Sequence, residues 1–266
     1  MVQEYARPAT AEEALGLKEA NPGWAFLAGG TFLLAGDHRE KPRGVIDLGG
    51  ILPRGIERRG KLLVLGSGAT FQDIADSRFA PLPLKEAALS MVNRNVRNRA
   101  TVGGNLAAAK SCASLVPVLL VLGARVRVAT ALGLVSTAAA EWMAAPRGIL
   151  LEIEMELEAG AKLAFARYAR TSCDLSVLTA AVAWRPAGSK MEALRIAMGG
   201  LGPRARDFPE IAALFSSGPL PSKEAIEAAA SPFFKPRADF RGSAAFKTLR
   251  AAALLADALH KAEEIA

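Results

Sequence analysis

Leu27-Ala28-Gly29-Gly30-Thr31-Phe32-Leu33 and Arg97-Asn98-Arg99-Ala100-Thr101-Val102-Gly103-Gly104-Asn105-Leu106 repeat one pattern, a pair of glycines with a threonine close by. In the first, an apolar strand predicted over Trp24–Ala28 ends in the glycines and a helix is expected to follow. Residues without Cβ atoms let successive backbone N–H groups turn toward an anion, and a threonine hydroxyl adds a donor. Singly, each reads as readily as an ordinary turn, and Arg94, Arg97 and Arg99 read equally as a solvated helix end. Together they suggest one extended polar ligand, a diphosphate, held from two sides.

Working outward, the N-terminal part alternates helix and strand patterns: a helix capped by Thr10, the strand before Gly29, and a short strand over Gly44–Leu48. Two short strands between Gly55 and Leu65 flank the basic turn Arg58-Arg59-Gly60-Lys61, and helices are expected near Phe71–Ala75, Pro83–Val92 and Ala113–Leu122. Strands follow at Arg125–Ala129 and Leu134–Ser136. Leu150–Glu158 alternates apolar and acidic residues, the period of a strand with one wet face, and marks a domain edge. Beyond it, strands are expected at Ala164–Tyr168, Val177–Trp184 and Ala193–Met198, then helices from Ala205, the last over Ser243–Glu264. A Pro/Ser-rich stretch, Ser216–Ser222, reads as a loop. Leu249, Ala253, Leu254 and Ala258 form an apolar stripe on the last helix that could dock a partner or pack on its own core.

Composition narrows the function classes. The 266 residues are 51% hydrophobic, enough for a globular core. The longest apolar run, Leu115–Ala124, is half a membrane span and contains Pro117, so a buried helix is expected and no membrane insertion. The N-terminus lacks the basic start and apolar run of an export signal. Cys112 and Cys173 cannot build a disulfide framework or hold a four-cysteine cluster, and with only His38 and His260, zinc and haem are disfavoured. A reduced, cytoplasmic compartment is expected. The net charge of +7 is spread along the chain, with an excess of two over residues 1–160 and five thereafter, which argues against nucleic acid. Gly66-x-Gly68-x-x-Phe71 lacks the third glycine of a dinucleotide fingerprint, and no Gly-x-Ser-x-Gly elbow is present.

In the same order along the chain stand the first loop, Leu65-Gly66-Ser67-Gly68-Ala69-Thr70, the second loop extended to Val96, Arg170-Thr171-Ser172-Cys173-Asp174-Leu175, and Asp239-Phe240-Arg241-Gly242-Ser243-Ala244-Ala245-Phe246. This series resembles the flavoprotein (medium) subunits of the xanthine dehydrogenase and carbon monoxide dehydrogenase family of molybdenum hydroxylases. It looks most like a bacterial branch associated with selenium-dependent hydroxylases.

The resemblance implies an α+β fold: a two-lobed FAD-binding domain over residues 1–160, with lobes of about 1–54 and 55–160, and a smaller α+β C-terminal domain over 161–266. It implies FAD as cofactor, contacted by Leu27 to Phe32, Thr101 to Asn105, Ser114 and Arg167. Expected partners are a [2Fe-2S] subunit and a molybdopterin-containing large subunit, with homodimerisation of the whole assembly possible. The expected role is oxidoreductase electron transfer from those clusters to an external acceptor, without substrate hydroxylation by this chain alone and without a catalytic acid or base of its own. The sequence departs from the family pattern where an acid is usual at Phe32, where Ala-Asp-Pro is usual at Ala109-Lys110-Ser111, where an aspartate is usual at Ser114 and a lysine at Ala166. The rival expectation is a flavin-free assembly subunit that keeps the fold.

Overall fold

The computed structural model describes residues 2–35 and 41–265. It opens on β1 (Glu4–Ala6), α1 (Ala11–Ala20), β2 (Ala25–Leu27) and β3 (Gly44–Asp47), the strands forming a parallel sheet in the order β1-β3-β2. Thr10 caps α1 by accepting from the Glu13 N–H, and Glu12 and Glu13 in the first turn suit the positive helix end. All three strands end on one edge, which gathers Arg7, the first glycine loop and the Leu48–Gly50 turn. Such carboxyl edges of parallel sheets are where α/β folds place ligands.

The helix expected after Gly30 is instead a single turn, with Leu34 N–H donating to Gly30 O and Ala35 N–H to Phe32 O. Phe32 and Leu34 are 36% and 48% exposed, so this segment lacks the buried face that normally sustains a short helix. His38 lies outside the described residues.

A five-stranded antiparallel sheet follows, built from β4 (Ile56–Arg59), β5 (Leu62–Gly66), β6 (Arg125–Thr130), β7 (Gly133–Ala138) and β8 (Ile149–Glu156) in the order β4-β5-β8-β6-β7. Helices α2 (Phe71–Asp76), α3 (Leu82–Leu89), α4 (Arg94–Arg97), α5 (Val102–Ala108) and α6 (Val116–Val121) lie between β5 and β6, and α7 (Ala139–Ala144) precedes β8. Every residue of α6 is buried, and Pro117 sits in its first turn, where a missing N–H is harmless. The acids of β8 are taken up by the basic hairpin and its neighbour: Glu152 binds Arg59 (2.8 Å) and Arg127 (2.7 Å), and Glu156 lies 3.9 Å from Lys61. Hydrogen bonding and the positive charges of Arg59 and Arg127 hold the Glu152 carboxyl below its ordinary range against the upward push of burial.

The remaining chain forms β9 (Lys162–Tyr168), β10 (Leu178–Ala187), β11 (Lys190–Gly199) and β12 (Arg206–Asp207), an antiparallel sheet ordered β12-β11-β10-β9, with α8 (Pro209–Phe215), α9 (Lys223–Ala230) and α10 (Ala244–Glu264). The helical region therefore starts one short strand later than expected, because Arg206 and Asp207 pair with Met198 and Ala197 first. The sheet is sided. Ala164, Val182 and Ile196 join the core under α10, whereas Phe165, Ala181 and Ala197 join the core of the preceding 63–155 region. The α10 stripe packs inward: Leu254 and Ala258 are buried with Ala251, Leu255 and Leu259, and Leu249 alone of the large stripe residues stays 63% exposed. This helix is core, and its main apolar face is not free to dock a partner.

Candidate functional site

The two glycine loops, about seventy residues apart in sequence, meet in space. A Cβ built on Gly29 would lie 1.7 Å from the Arg99 carbonyl oxygen, so the backbone of one loop rests directly on the other. Gly30 has φ +75, a left-handed conformation that carries the chain round the turn at little cost only without a side chain. A second contact joins the neighbouring segments, with Lys110 Nζ 4.3 Å from the centre of the Phe32 ring. The two positions that depart from the family pattern thus touch each other.

The loops divide the work differently from the sequence reading. In the second, Thr101 caps α5 by accepting from Gly104 N–H, and the N–H groups of Val102, Gly103 and Asn105 donate to Ala69 O, Ser67 O and Thr101 O. None of these four donors is left over for an anion. Both glycines lack a side chain for packing reasons: a Cβ on Gly103 would sit 2.8 Å from Ser67 Cβ, and one on Gly104 would sit 2.8 Å from Thr101 Oγ1. In the first loop the N–H groups of Gly29, Gly30 and Thr31 find no acceptor among the described residues. Unspent donors of this kind are what an anion needs, and they lie in the first loop while the second shapes the wall opposite.

Charge at this edge is mixed. Burial pushes the Asp47 carboxyl up, but the Tyr5 hydroxyl (2.6 Å), the Gly49 N–H and the charges of Arg7 and Arg99 bring it below its ordinary value. Arg97 is engaged in the fold, donating to Gln72 Oε1 (3.0 Å) and Met91 O (3.2 Å). Of the three arginines weighed as phosphate ligands, Arg99 is the one at the seam.

Among the described residues, three buried side-chain oxygens lack partners: Ser67 Oγ, Asn105 Oδ1 and Thr179 Oγ1. Ser67 lies under Gly103, and Thr179 lies beside Gly199, where an added Cβ would be 2.6 Å from Thr179 Oγ1 and 2.7 Å from Ser111 O. All three border the segment 103–111, and an unpaired buried polar group costs about 1–3 kcal/mol. Stability alone does not select such an interior. Ser114 is buried at the end of the same segment, just before α6.

Arg167 comes from β9, on the face that also carries Phe165 toward the 63–155 core. Its guanidinium donates to Ser176 Oγ (2.9 Å), Ser172 O (3.1 Å) and Asp174 O. Arg170 and Asp174, from the third motif, form an ion pair with each other at 2.6 Å. A cleft of about 560 Å³ runs beside β9, between α3 and the C-terminal half of α10; of the expected site residues, only Arg167 lines it. The cleft is thus separate from the glycine seam. The sequence reading missed Asp47, whose place beside the first loop is visible only once β3 is folded, and it quoted Ser67 only as part of the Leu65–Thr70 motif, without its contact to Gly103.

A parallel sheet edge whose backbone donors at Gly29–Thr31 are unspent among the described residues, closed by a second glycine loop, suits an anionic, nucleotide-type ligand. Residues 1–156 match the FAD binding domain in molybdopterin dehydrogenase and residues 163–262 the CO dehydrogenase flavoprotein C-terminal domain, and the chain belongs to this family of FAD-binding oxidoreductase subunits. It is 30% identical over 259 residues to the uncharacterized protein YgfM of Escherichia coli (strain K12), covering 97% of this chain and 95% of that one. It is 29% identical over 259 residues to the nicotine 6-hydroxylase medium subunit of Paenarthrobacter nicotinovorans, with 91% of each covered. The carbon monoxide dehydrogenase of Hydrogenophaga pseudoflava superposes with a TM-score of 0.91 at 27% identity, covering 99% of this chain and 98% of that chain. No helix among the described residues is long and apolar enough to cross a membrane.

Proposed function

We propose that the chain is the electron-transfer subunit of a molybdenum hydroxylase. It receives electrons from the [2Fe-2S] clusters of a partner subunit and delivers them to an external acceptor, while substrate meets a molybdopterin-containing large subunit. The observation that carries this reading is the seam between the loops: Gly29 against the Arg99 carbonyl, with the N–H groups of Gly29, Gly30 and Thr31 unspent beside it. FAD, once bound, supplies the redox chemistry, and the chain supplies orientation and electrostatics.

In this reading Leu27 to Thr31 hold the diphosphate by their backbone, with Phe32 and Lys110 as the rim. Thr101 to Asn105 form the opposing wall, through the packing of Val102 and Gly103, the close approach of Gly104 to the Thr101 hydroxyl and the amide of Asn105. Ser114 and Arg167 lie toward the flavin ring. Residues 1–160 form the FAD unit, with lobes of about 1–54 and 55–160, and 161–266 the C-terminal unit. Names of relatives as medium subunits support a multi-subunit assembly, and Cys112 and Cys173, both free, suit a reducing cytoplasm.

The test is purification from native cells, with cofactor chromatography and mass spectrometry of co-purifying chains. The expected outcome is released FAD together with iron–sulfur and molybdopterin partners. FMN alone, or a chain that purifies without either partner, refutes the proposal.

A further inference from the structure

Four large apolar side chains stand exposed around the turn that precedes α10. Phe240 is 75% exposed and Leu249 63%, with Phe246 and Leu175 also open to solvent. They are neighbours in space. The Phe246 ring lies 5.8 Å from that of Tyr168, and a Cβ built on Gly242 would stand 2.9 Å from Phe246 Cδ1. Leu249 follows Phe246 by three residues in the same helix, which puts the two on one face. Leu175 borders them, because the carbonyl of the next residue, Ser176, accepts from Arg241 Nη1 at 3.2 Å. Single exposed apolar residues are ordinary, but a contiguous group rimmed by polar residues marks a contact surface.

The turn that carries Phe240 is held by buried charge. Asp239 and Gly242 exchange backbone hydrogen bonds, both 3.1 Å. Arg241, whose side chain is 9% exposed, binds the Asp239 carboxylate at 2.6 Å, and Lys247, 1% exposed, binds it at 2.8 Å. Lys247 also donates to Arg237 O (3.1 Å). Burial pushes the Asp239 carboxyl up, but the hydrogen bonds from Arg241 and Lys247 bring it far below its ordinary range, so it is charged at physiological pH. Withdrawing two cations from water onto one carboxylate is expensive in free energy. What it secures is a fixed turn with an aromatic side chain at its tip, and a side chain already fixed loses little freedom when a partner covers it.

Charge around the patch is one-sided. Residues 235–250 hold five cations and one acid, Asp239, which is spent on Arg241 and Lys247. Asp174, the acid next to Leu175, is paired with Arg170. Lys235, Arg237 and Arg250 therefore have no carboxylate within ion-pair distance among the described residues, and Arg250 instead lies over the Tyr168 ring, 4.7 Å from its centre. This charge separates the candidate occupants. A second copy would set like charges against each other across a two-fold axis. Anionic lipid is read by clusters of about four to eight cations, more than the three left over here. An acidic polypeptide answers both the cations and the apolar group, and arginine with aromatic residues is the composition enriched at protein interfaces.

We propose that the 239–242 turn and the start of α10 are a docking surface for an acidic segment of a partner polypeptide, whose apolar side chains cover Phe240, Phe246 and Leu249 while its carboxylates meet Arg237 and Arg250. This surface uses none of the glycine-loop residues and stands whether or not FAD is the cofactor.

The experiment places a photocross-linker in the full chain in native cells, as Phe240→p-benzoylphenylalanine, with Leu132→p-benzoylphenylalanine as control. Leu132 is 99% exposed in the turn between β6 and β7, in a different sheet. The readout is the sequence of the peptide joined to the chain, not capture alone. Expected is one partner chain, joined at position 240 through a peptide that carries acidic and apolar residues, and absent at position 132. Arg250→Glu should lower that yield by about tenfold, the size of one lost close charge pair, whereas Arg250→Lys keeps most of it. Arg250→Ala serves if Arg250→Glu does not fold. Joining to lipid, to nucleic acid or to a second copy, a peptide without acidic residues, the same chain at both positions, no product at position 240, or an undiminished yield in the Arg250 variants overturns the inference. FAD content of the same preparations tests the cofactor reading separately.

Discussion

Replacing Gly29 with alanine tests the seam directly. The added methyl would stand 1.7 Å from the Arg99 carbonyl oxygen, 2.7 Å from its carbon and 3.4 Å from Ala100 Cα, all backbone atoms. Carbon contacts settle near 3.5–4.0 Å, so one loop must withdraw from the other by roughly 1.5–2 Å, and no side-chain rotamer can relieve it. Overpacking of this kind costs about 1–3 kcal/mol. If FAD requires the closed seam, that strain falls on binding, and at 1.4 kcal/mol per tenfold the affinity should drop by about 5- to 150-fold. The assay is titration of the flavin-free chain with FAD, followed by flavin fluorescence. Gly16→Ala is the matched control: it lies in α1, its Cβ meets nothing within 4 Å, and it should gain about 0.5–1 kcal/mol of stability with unchanged affinity. Wild-type affinity in a folded Gly29→Ala chain would refute the argument that the two loops form one cradle.

Thr101→Ala removes the hydroxyl that caps α5, and a thermal melt should show a loss of about 1 kcal/mol, with weaker FAD retention. Because the folded-state pKa of Glu152 is depressed, its contribution is present above the unfolded value and is lost as pH falls through the lower folded one; Glu152→Gln should therefore lose stability near neutrality and show a flatter acid limb in urea denaturation as pH falls below the ordinary carboxylate value. Leu255→Ala, at a fully buried position in α10, should cost about 2–5 kcal/mol in the same assay, and truncation of residues 243–266 should abolish the folded C-terminal unit rather than selectively release a partner.

The order of elements and the positions of the loops were legible because glycine, threonine and alternating acids carry local signals. Thr10 before Glu12 and Glu13 marks α1, and Glu152, Glu154 and Glu156 mark β8 as a strand with a polar side. What escaped the sequence depends on contacts between distant residues. No local pattern tells that the four N–H groups of residues 102–105 would be spent on Ala69, Ser67 and Thr101, leaving the first loop with the free donors. The stripe on α10 reads the same whether it meets a partner or its own sheet, and only the opposing faces of β9, β10 and β11 decide for the latter. Phe32 and Lys110 look like two separate departures in sequence and form one contact in space.

The parallel sheet at the N-terminus does not close a core from its own residues. Ile46, Leu48 and Ala14 are completed by Ala129 from the end of β6 and Ile149 from the start of β8, with Leu151 packed alongside. A fragment cut after residue 54 would therefore expose an open apolar face and is expected to aggregate when expressed alone. Transplanting this lobe between related proteins would need those two strand ends to travel with it, so the smallest exchangeable piece is discontinuous in the gene.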